Sequence, residues 1–209
     1  MKLDGNSPAD ALQESVTAVA AKLRGYLDDG KEAFVKRNEL RAKEGLCTVG
    51  VVGYGRHGKD TVAELLAKNT KLKYGGSTSR IASPLIAEAL GLSVDEAFAR
   101  RHEDRMFWFR WCNELRRQEG PCILLTLLLA NSDIAVGMRG IEEINQYAGY
   151  TVNYWIWVEN PRKEKDPTVD FTYQDTRKYG AIKILNDGSL DDLNNKVINY
   201  AKFTDLLKG

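Results

Sequence analysis

The chemistry in this chain concentrates in residues 49 to 61, VGVVGYGRHGKDT, where Gly53-x-x-x-x-Gly58-Lys59 follows an apolar run. Glycines at 53, 55 and 58 can take backbone angles closed to other residues. The main chain of Gly53, Tyr54, Gly55, Arg56, His57 and Gly58 can therefore wrap an anion and present its amides at a helix N-terminus, where the peptide dipoles also favour negative charge. Lys59 is spaced to reach the outer oxygens of a polyphosphate. This pattern predicts that residues 53 to 61 bind ATP with Mg2+. A glycine-rich turn before an ordinary helix is the competing reading.

The loop departs from the usual pattern at one point. A hydroxyl residue is expected directly after the lysine to hold the metal, and here Asp60 stands there with Thr61 behind it. Asp60 and Thr61 are the candidate metal ligands, and the Asp60 carboxylate could instead accept a proton from a substrate hydroxyl. As a plain structural residue, Asp60 would be a favourable first-turn charge on its helix. Arg56 and His57 are read as exposed loop residues within reach of phosphate or acceptor.

A second chemical stretch is DRMFWFRWCNELRR, residues 104 to 117, where arginines alternate with aromatic rings. Flat rings stack on bases and guanidinium groups bind phosphates. Arg105, Trp108, Arg110 and Trp111 are the substrate-binding candidates. At helical spacing such rings also serve as core, and adjacent positions cannot share one helix face.

These residues need elements to position them. Cys47 to Val52, Asp133 to Met138, Tyr154 to Val158 and Ala181 to Leu185 read as strands, with Leu72 to Tyr74 as a short further one. Helices are expected between them, including one opened by Pro84, one after the capping box at Ser93 to Glu96, and a long one over Arg100 to Gln118. Alternating strands and helices give an α/β fold with a parallel sheet flanked by helices, and ligands in such sheets sit beyond the carboxyl ends of the strands. Residues 1 to 45 form a helical extension ahead of a domain spanning 46 to 209, with Ser7-Pro8 as its start, Gly30 interrupting it and Gly45 ending it. Lys31, Lys36, Arg37, Arg41 and Lys43 make its second half basic, either as a solvated face or as a surface for a polyanion or partner. Arg162 to Thr176 reads as a loop able to act as a small lid.

Composition narrows the classes. A length of 209 residues with 43% apolar and 28% charged content suits one substantial core, and a net charge of +1 gives no global field for nucleic acid. No apolar run approaches the roughly 20 residues that span a bilayer, so no membrane partner is expected. Three cysteines, Cys47, Cys112 and Cys122, fit reduced thiols in a cytoplasmic protein better than a disulfide framework. A homo-oligomer stays open.

Four segments together carry a family resemblance: the loop ending GKDT, IASPLIAEALGL at 81 to 92, VGMRGIEEI at 136 to 144 and ILNDGSLDDL at 184 to 193. In this order they resemble the bacteriophage deoxynucleoside monophosphate kinase-like branch of P-loop kinases. The aromatic segment is similar to phage kinases linked to thymine hypermodification, which phosphorylate 5-hydroxymethyluracil already in DNA. The resemblance implies a P-loop NTPase/kinase fold, a phosphotransferase using ATP and Mg2+, and a nucleotide or DNA substrate in the cytoplasm of a phage host. Arg139 matches the family arginine beside the phosphates and joins Lys59 and Asp60 as a catalytic candidate. Two acidic positions of the family pattern are replaced by Ser83 and Gly137, which leaves Asp60 as the leading carboxylate. Deoxynucleoside monophosphate phosphorylation is the alternative activity, and a nucleotide-binding regulatory or assembly protein is the third reading.

Overall fold

The computed structural model describes residues 8–148 and 151–207. Its centre is a four-stranded parallel sheet made of β1 (Val49–Val52), β2 (Ile134–Val136), β3 (Tyr154–Glu159) and β4 (Ile182–Leu185) in the order β2-β1-β3-β4. Val49 lies opposite both Ile134 and Tyr154 in register. Strands β1, β2 and β3 are apolar on both faces, as a sheet covered twice requires, while β4 at the edge exposes Lys183 and Leu185. Along β3 the side chains alternate: Trp155 and Trp157 enter one core, and Ile156 and Val158 enter the other.

On the Ile156 side, α3 (Lys59–Asn69) and α10 (Leu190–Phe203) bury Val62, Leu66, Val197 and Tyr200. On the tryptophan side lie α7 (Ile123–Leu129) and α8 (Ile141–Tyr147). The expected strand at Leu72 to Tyr74 does not form. Its main chain is held instead at Lys73, whose N–H donates to the Asp133 carboxylate at 3.0 Å and whose carbonyl accepts from the Asp133 N–H at 2.7 Å. A side chain thus satisfies a group that a ladder would otherwise need.

Residues 8 to 44 form α1 (Pro8–Lys22) and α2 (Arg24–Glu44), so the break falls at Leu23 and the helix runs through Gly30. The expected Ser7 cap lies outside the described residues. Gly30 is there for contact: a Cβ at this position would collide with Leu127 on α7. Gly45 ends α2 in the left-handed conformation, φ 65°, as its sequence position suggested. The helices share a core with their neighbours, since Val16, Val19 and Leu27 pack with residues of α4 (Thr78–Leu90), α6 (Arg105–Glu119) and α7.

Two of the five basic residues expected on the α2 surface turn inward. Arg41, 5% exposed, donates to Asp133 at 3.1 Å and to the carbonyls of Leu129 and Ser132. Arg37 donates to both Asp133 oxygens at 2.9 Å. Asp133, 2% exposed, therefore bolts α2 to the start of β2.

The helix assigned to Pro84 begins six residues earlier, at Thr78, and continues through the proline. Proline removes one N–H from the ladder, but the Ser83 hydroxyl donates to the Ser79 carbonyl at 2.9 Å and Ala82, Leu85 and Ile86 are fully buried. Burial of that stripe outweighs the lost bond. α5 (Val94–Arg100) carries the expected capping box between Ser93 and Glu96. A short helix, α9 (Tyr173–Arg177), closes the stretch expected to be loop.

Candidate active site

β1 delivers the chain into the glycine loop at its carboxyl end, and the loop feeds α3, whose N-cap is Gly58 in a left-handed conformation. Arg56 also takes a positive φ, 65°. These turns splay the main chain so that none of the seven amides from Gly55 to Thr61 donates to another group among the described residues. The first turn of any helix leaves up to four such donors; the loop adds three more beside them.

Lys59 lies under this array. It is 8% exposed and donates to the Tyr54 carbonyl at 2.5 Å. Burial, helped by the nearby Arg139, pushes its ammonium down to about 7, against the pull of Asp60 and Asp166. An ammonium so destabilised gains from an anion.

His57 is placed differently from its sequence reading. It is 1% exposed, its Nδ1 accepts from the Asn160 N–H at 3.0 Å, and its Nε2 donates to the Glu164 carbonyl at 3.1 Å. With both nitrogens engaged it cannot bind phosphate; it ties the glycine loop to the segment after β3. Asn186, at the end of β4, fixes the same loop by donating to the His57 carbonyl at 3.1 Å.

Asp60 is exposed and accepts a hydrogen bond from the Tyr74 hydroxyl at 2.8 Å. Burial and then the Asp60 charge raise the Tyr74 hydroxyl pKa, so Tyr74 stays a donor. Asp60 lines the large cavity described below, whereas Thr61 is half-buried and does not. Magnesium commonly takes one or two protein oxygens and completes its shell with water and phosphate. Asp60 offers such an oxygen, which fits Mg2+ held largely by a polyphosphate.

A cavity of about 450 Å³ opens beside Gly55, Lys59 and Asp60 and runs between α4, α5 and α6. Its lining includes six arginines, Arg56, Arg80, Arg101, Arg105, Arg116 and Arg139, and the rings of Phe98, Trp108 and Phe109. Of the four substrate candidates on α6, Arg105 and Trp108 reach the cavity. Arg110 points to solvent and Trp111 is fully buried in the core, because helical rotation carries those positions off the lining face.

Arg105 and Arg139 converge on Asp166, with Arg139 at 2.5 Å. Burial alone would raise the Asp166 carboxyl, but hydrogen bonds from the Thr168 hydroxyl and N–H, with Arg139, hold it well below the usual carboxylate range. Asp166 also presses on the glycine loop, since a Cβ on Gly55 would collide with it. Nothing in the sequence pattern marked Asp166, one of two acids, with Glu164, between Pro161 and Pro167 in a stretch read as loop. Glu143 was also missed. It is buried, pairs with Arg116 at 3.3 Å, and accepts the N–H groups of Arg139 and Gly140 at 2.8 and 3.0 Å, which sets the Arg139 turn.

The two positions where the resemblance would have placed an acid, Ser83 and Gly137, differ in their surroundings. Ser83 is fully buried within α4 and does not line the cavity. Gly137 lines it at φ 101°, with Thr78 donating to its carbonyl at 2.9 Å and no room for a Cβ beside the Thr78 hydroxyl.

Comparison with protein-family models, curated proteins and solved structures finds no match. Among the described residues no helix is long and apolar enough to cross a membrane, and the three cysteines are free.

Proposed function

We propose that this protein is an ATP-dependent phosphotransferase whose acceptor is a nucleotide, with the hydroxymethyl group of 5-hydroxymethyluracil in DNA as the preferred acceptor. The observation that carries the reading is the row of unpartnered amides from Gly55 to Thr61 over the buried Lys59, at one end of an arginine-lined cavity. Phosphoryl transfer asks a protein mainly for alignment and positive charge around the transferring group. The amides and Lys59 would hold the donor phosphates, with Arg139 and Arg105 beside them. Asp60 would hold Mg2+, which neutralises phosphate charge when bound, or would orient and deprotonate the acceptor hydroxyl.

An exposed carboxylate at the cavity, kept in place by Tyr74, favours a hydroxyl acceptor, because a phosphate acceptor needs no base and would be repelled by it. The arginine-rich lining favours the second reading, a deoxynucleoside monophosphate kinase. One assay separates them: labelled ATP offered with free deoxynucleoside monophosphates, with DNA containing 5-hydroxymethyluracil, and with ordinary DNA. Label in modified DNA alone supports the preferred acceptor. Label in free nucleotides moves the assignment to the second reading, and label nowhere refutes both.

A further inference from the structure

The wall of the cavity formed by α4, α5 and the turn before α6 carries charge that the proposed transfer step does not use. Arg101 lies over the Phe98 ring with its guanidinium carbon 3.9 Å from the centroid, and Arg80 lies over the same ring at 4.8 Å. Cation–π stacking of this kind holds a guanidinium flat while leaving its N–H edge free. Arg101 is fixed further by donating to the Phe98 carbonyl at 2.8 Å.

Carboxylates do not neutralise this wall. Arg101 has no carboxylate partner among the described residues, nor has Arg56 of the glycine loop, which lines the same cavity, and Arg80 meets only Asp95, at 3.4 Å with an 88% exposed side chain. Pairs that exposed contribute little. His102 lines the same wall, where partial burial and the neighbouring Arg101, Arg56 and Arg105 hold its imidazole below the usual histidine range. Four cationic or proton-accepting groups thus face one space, and the acids lining that space, Asp60 and Glu64, belong to α3. The lining also includes Trp108, Phe109 and Leu124, which suit a flat base more than a phosphate.

We infer that Arg80 and Arg101, stacked on Phe98, form a subsite for the phosphate of the acceptor nucleotide, distinct from the donor-phosphate loop. This rests on the reading of the cavity as the acceptor site of a phosphotransferase. A phosphate bound there leaves the base against Trp108 and Phe109. The charge of the cavity then runs from cationic at the phosphate to acidic at Asp60, where a hydroxyl acceptor needs it. Two sources supply the same chemistry: the 5′-phosphate of a mononucleotide and a backbone phosphodiester of DNA.

Both arginines are surface-accessible, so R80A/R101A should fold, which circular dichroism checks. Binding is measured for thymidine 5′-monophosphate, for a short single-stranded oligonucleotide containing 5-hydroxymethyluracil, and for a non-hydrolysable ATP analogue. The double variant is expected to bind at least one of the first two about tenfold more weakly and to bind the ATP analogue as before. If the oligonucleotide is the source, the salt dependence of its binding should also flatten by about 0.7 for each phosphate that the variant no longer holds. Loss confined to the mononucleotide identifies its 5′-phosphate, and loss confined to the oligonucleotide identifies the backbone. Unchanged binding of both acceptors, no binding of either by the wild-type protein, or an equal loss for the ATP analogue overturns the subsite. Arginine-dependent acceptor binding by a protein that fails to bind the ATP analogue would sink the phosphotransferase reading while leaving the subsite standing.

Discussion

Donor binding should weaken as pH rises above neutrality, and Lys59 sets by how much. Its ordinary value is 10.5 and burial brings it to about 7, a difference that corresponds to about 5 kcal/mol at 1.36 kcal/mol per unit. A bound polyphosphate places negative charge beside the ammonium and restores the charged form. Between the free and bound values, binding therefore takes up a proton, close to 0.9 of one at about pH 8. From pH 7 to pH 9 the protonated fraction of the free protein falls from about one half to about one hundredth, so affinity for a non-hydrolysable ATP analogue should fall roughly fiftyfold. The terminal phosphate, with a pKa of about 6, is ionised throughout this range and adds little. Calorimetric titration in buffers of different ionisation enthalpy measures the proton directly, and Lys59→Met should bind weakly at every pH with the slope removed. A flat affinity from pH 7 to 9, or the same slope in the methionine variant, would refute the reasoning. The same linkage sets stability: between about 7 and 10.5 the unfolded chain holds the proton that the folded chain lacks, so this group's contribution to stability rises with pH across that window.

Asp60→Asn should slow transfer about a hundredfold or more while changing ATP-analogue affinity little, if the carboxylate serves the acceptor hydroxyl; equal losses in both would return it to metal or donor binding. Asp133→Ala should lower the unfolding free energy by about 3–5 kcal/mol, read from urea midpoints, because it strands the buried Arg41 guanidinium and the Lys73 N–H. Gly137→Asp, which introduces the acid that the resembled kinases carry at this place, should cost about 1–3 kcal/mol from the positive φ alone and shift the Thr78 turn; a variant with unchanged melting temperature and higher transfer rate would contradict the assigned geometry.

Local signals in the chain determined the elements whose causes are themselves local. Period-two and continuous apolar runs gave the four strands, the Ser93 and Glu96 pair gave the start of α5, Gly45 gave the end of α2, and the glycine spacing gave the turn between β1 and α3 with Lys59 at the helix start. The direction of Trp108 against Trp111 depended on which face of α6 met α4 and α7, and periodicity alone cannot choose a partner for either face.

What the tertiary structure alone decided are the contacts between residues far apart in the chain. Asp166 reaches Arg105 and Arg139 across 61 and 27 positions, His57 locks to Asn160 and Glu164, and Arg37 and Arg41 leave the surface to pair with Asp133. Gly30 continues a helix that its composition would break, because the Leu127 side chain of α7 fills the space that a Cβ would take. Spacing in a sequence reports the geometry of one element, with its fixed 3.6- or 2-residue repeat. A buried charge finds its partner only when separate elements pack, and the cost of leaving it unpaired then fixes which of the available arginines, acids and carbonyls it meets.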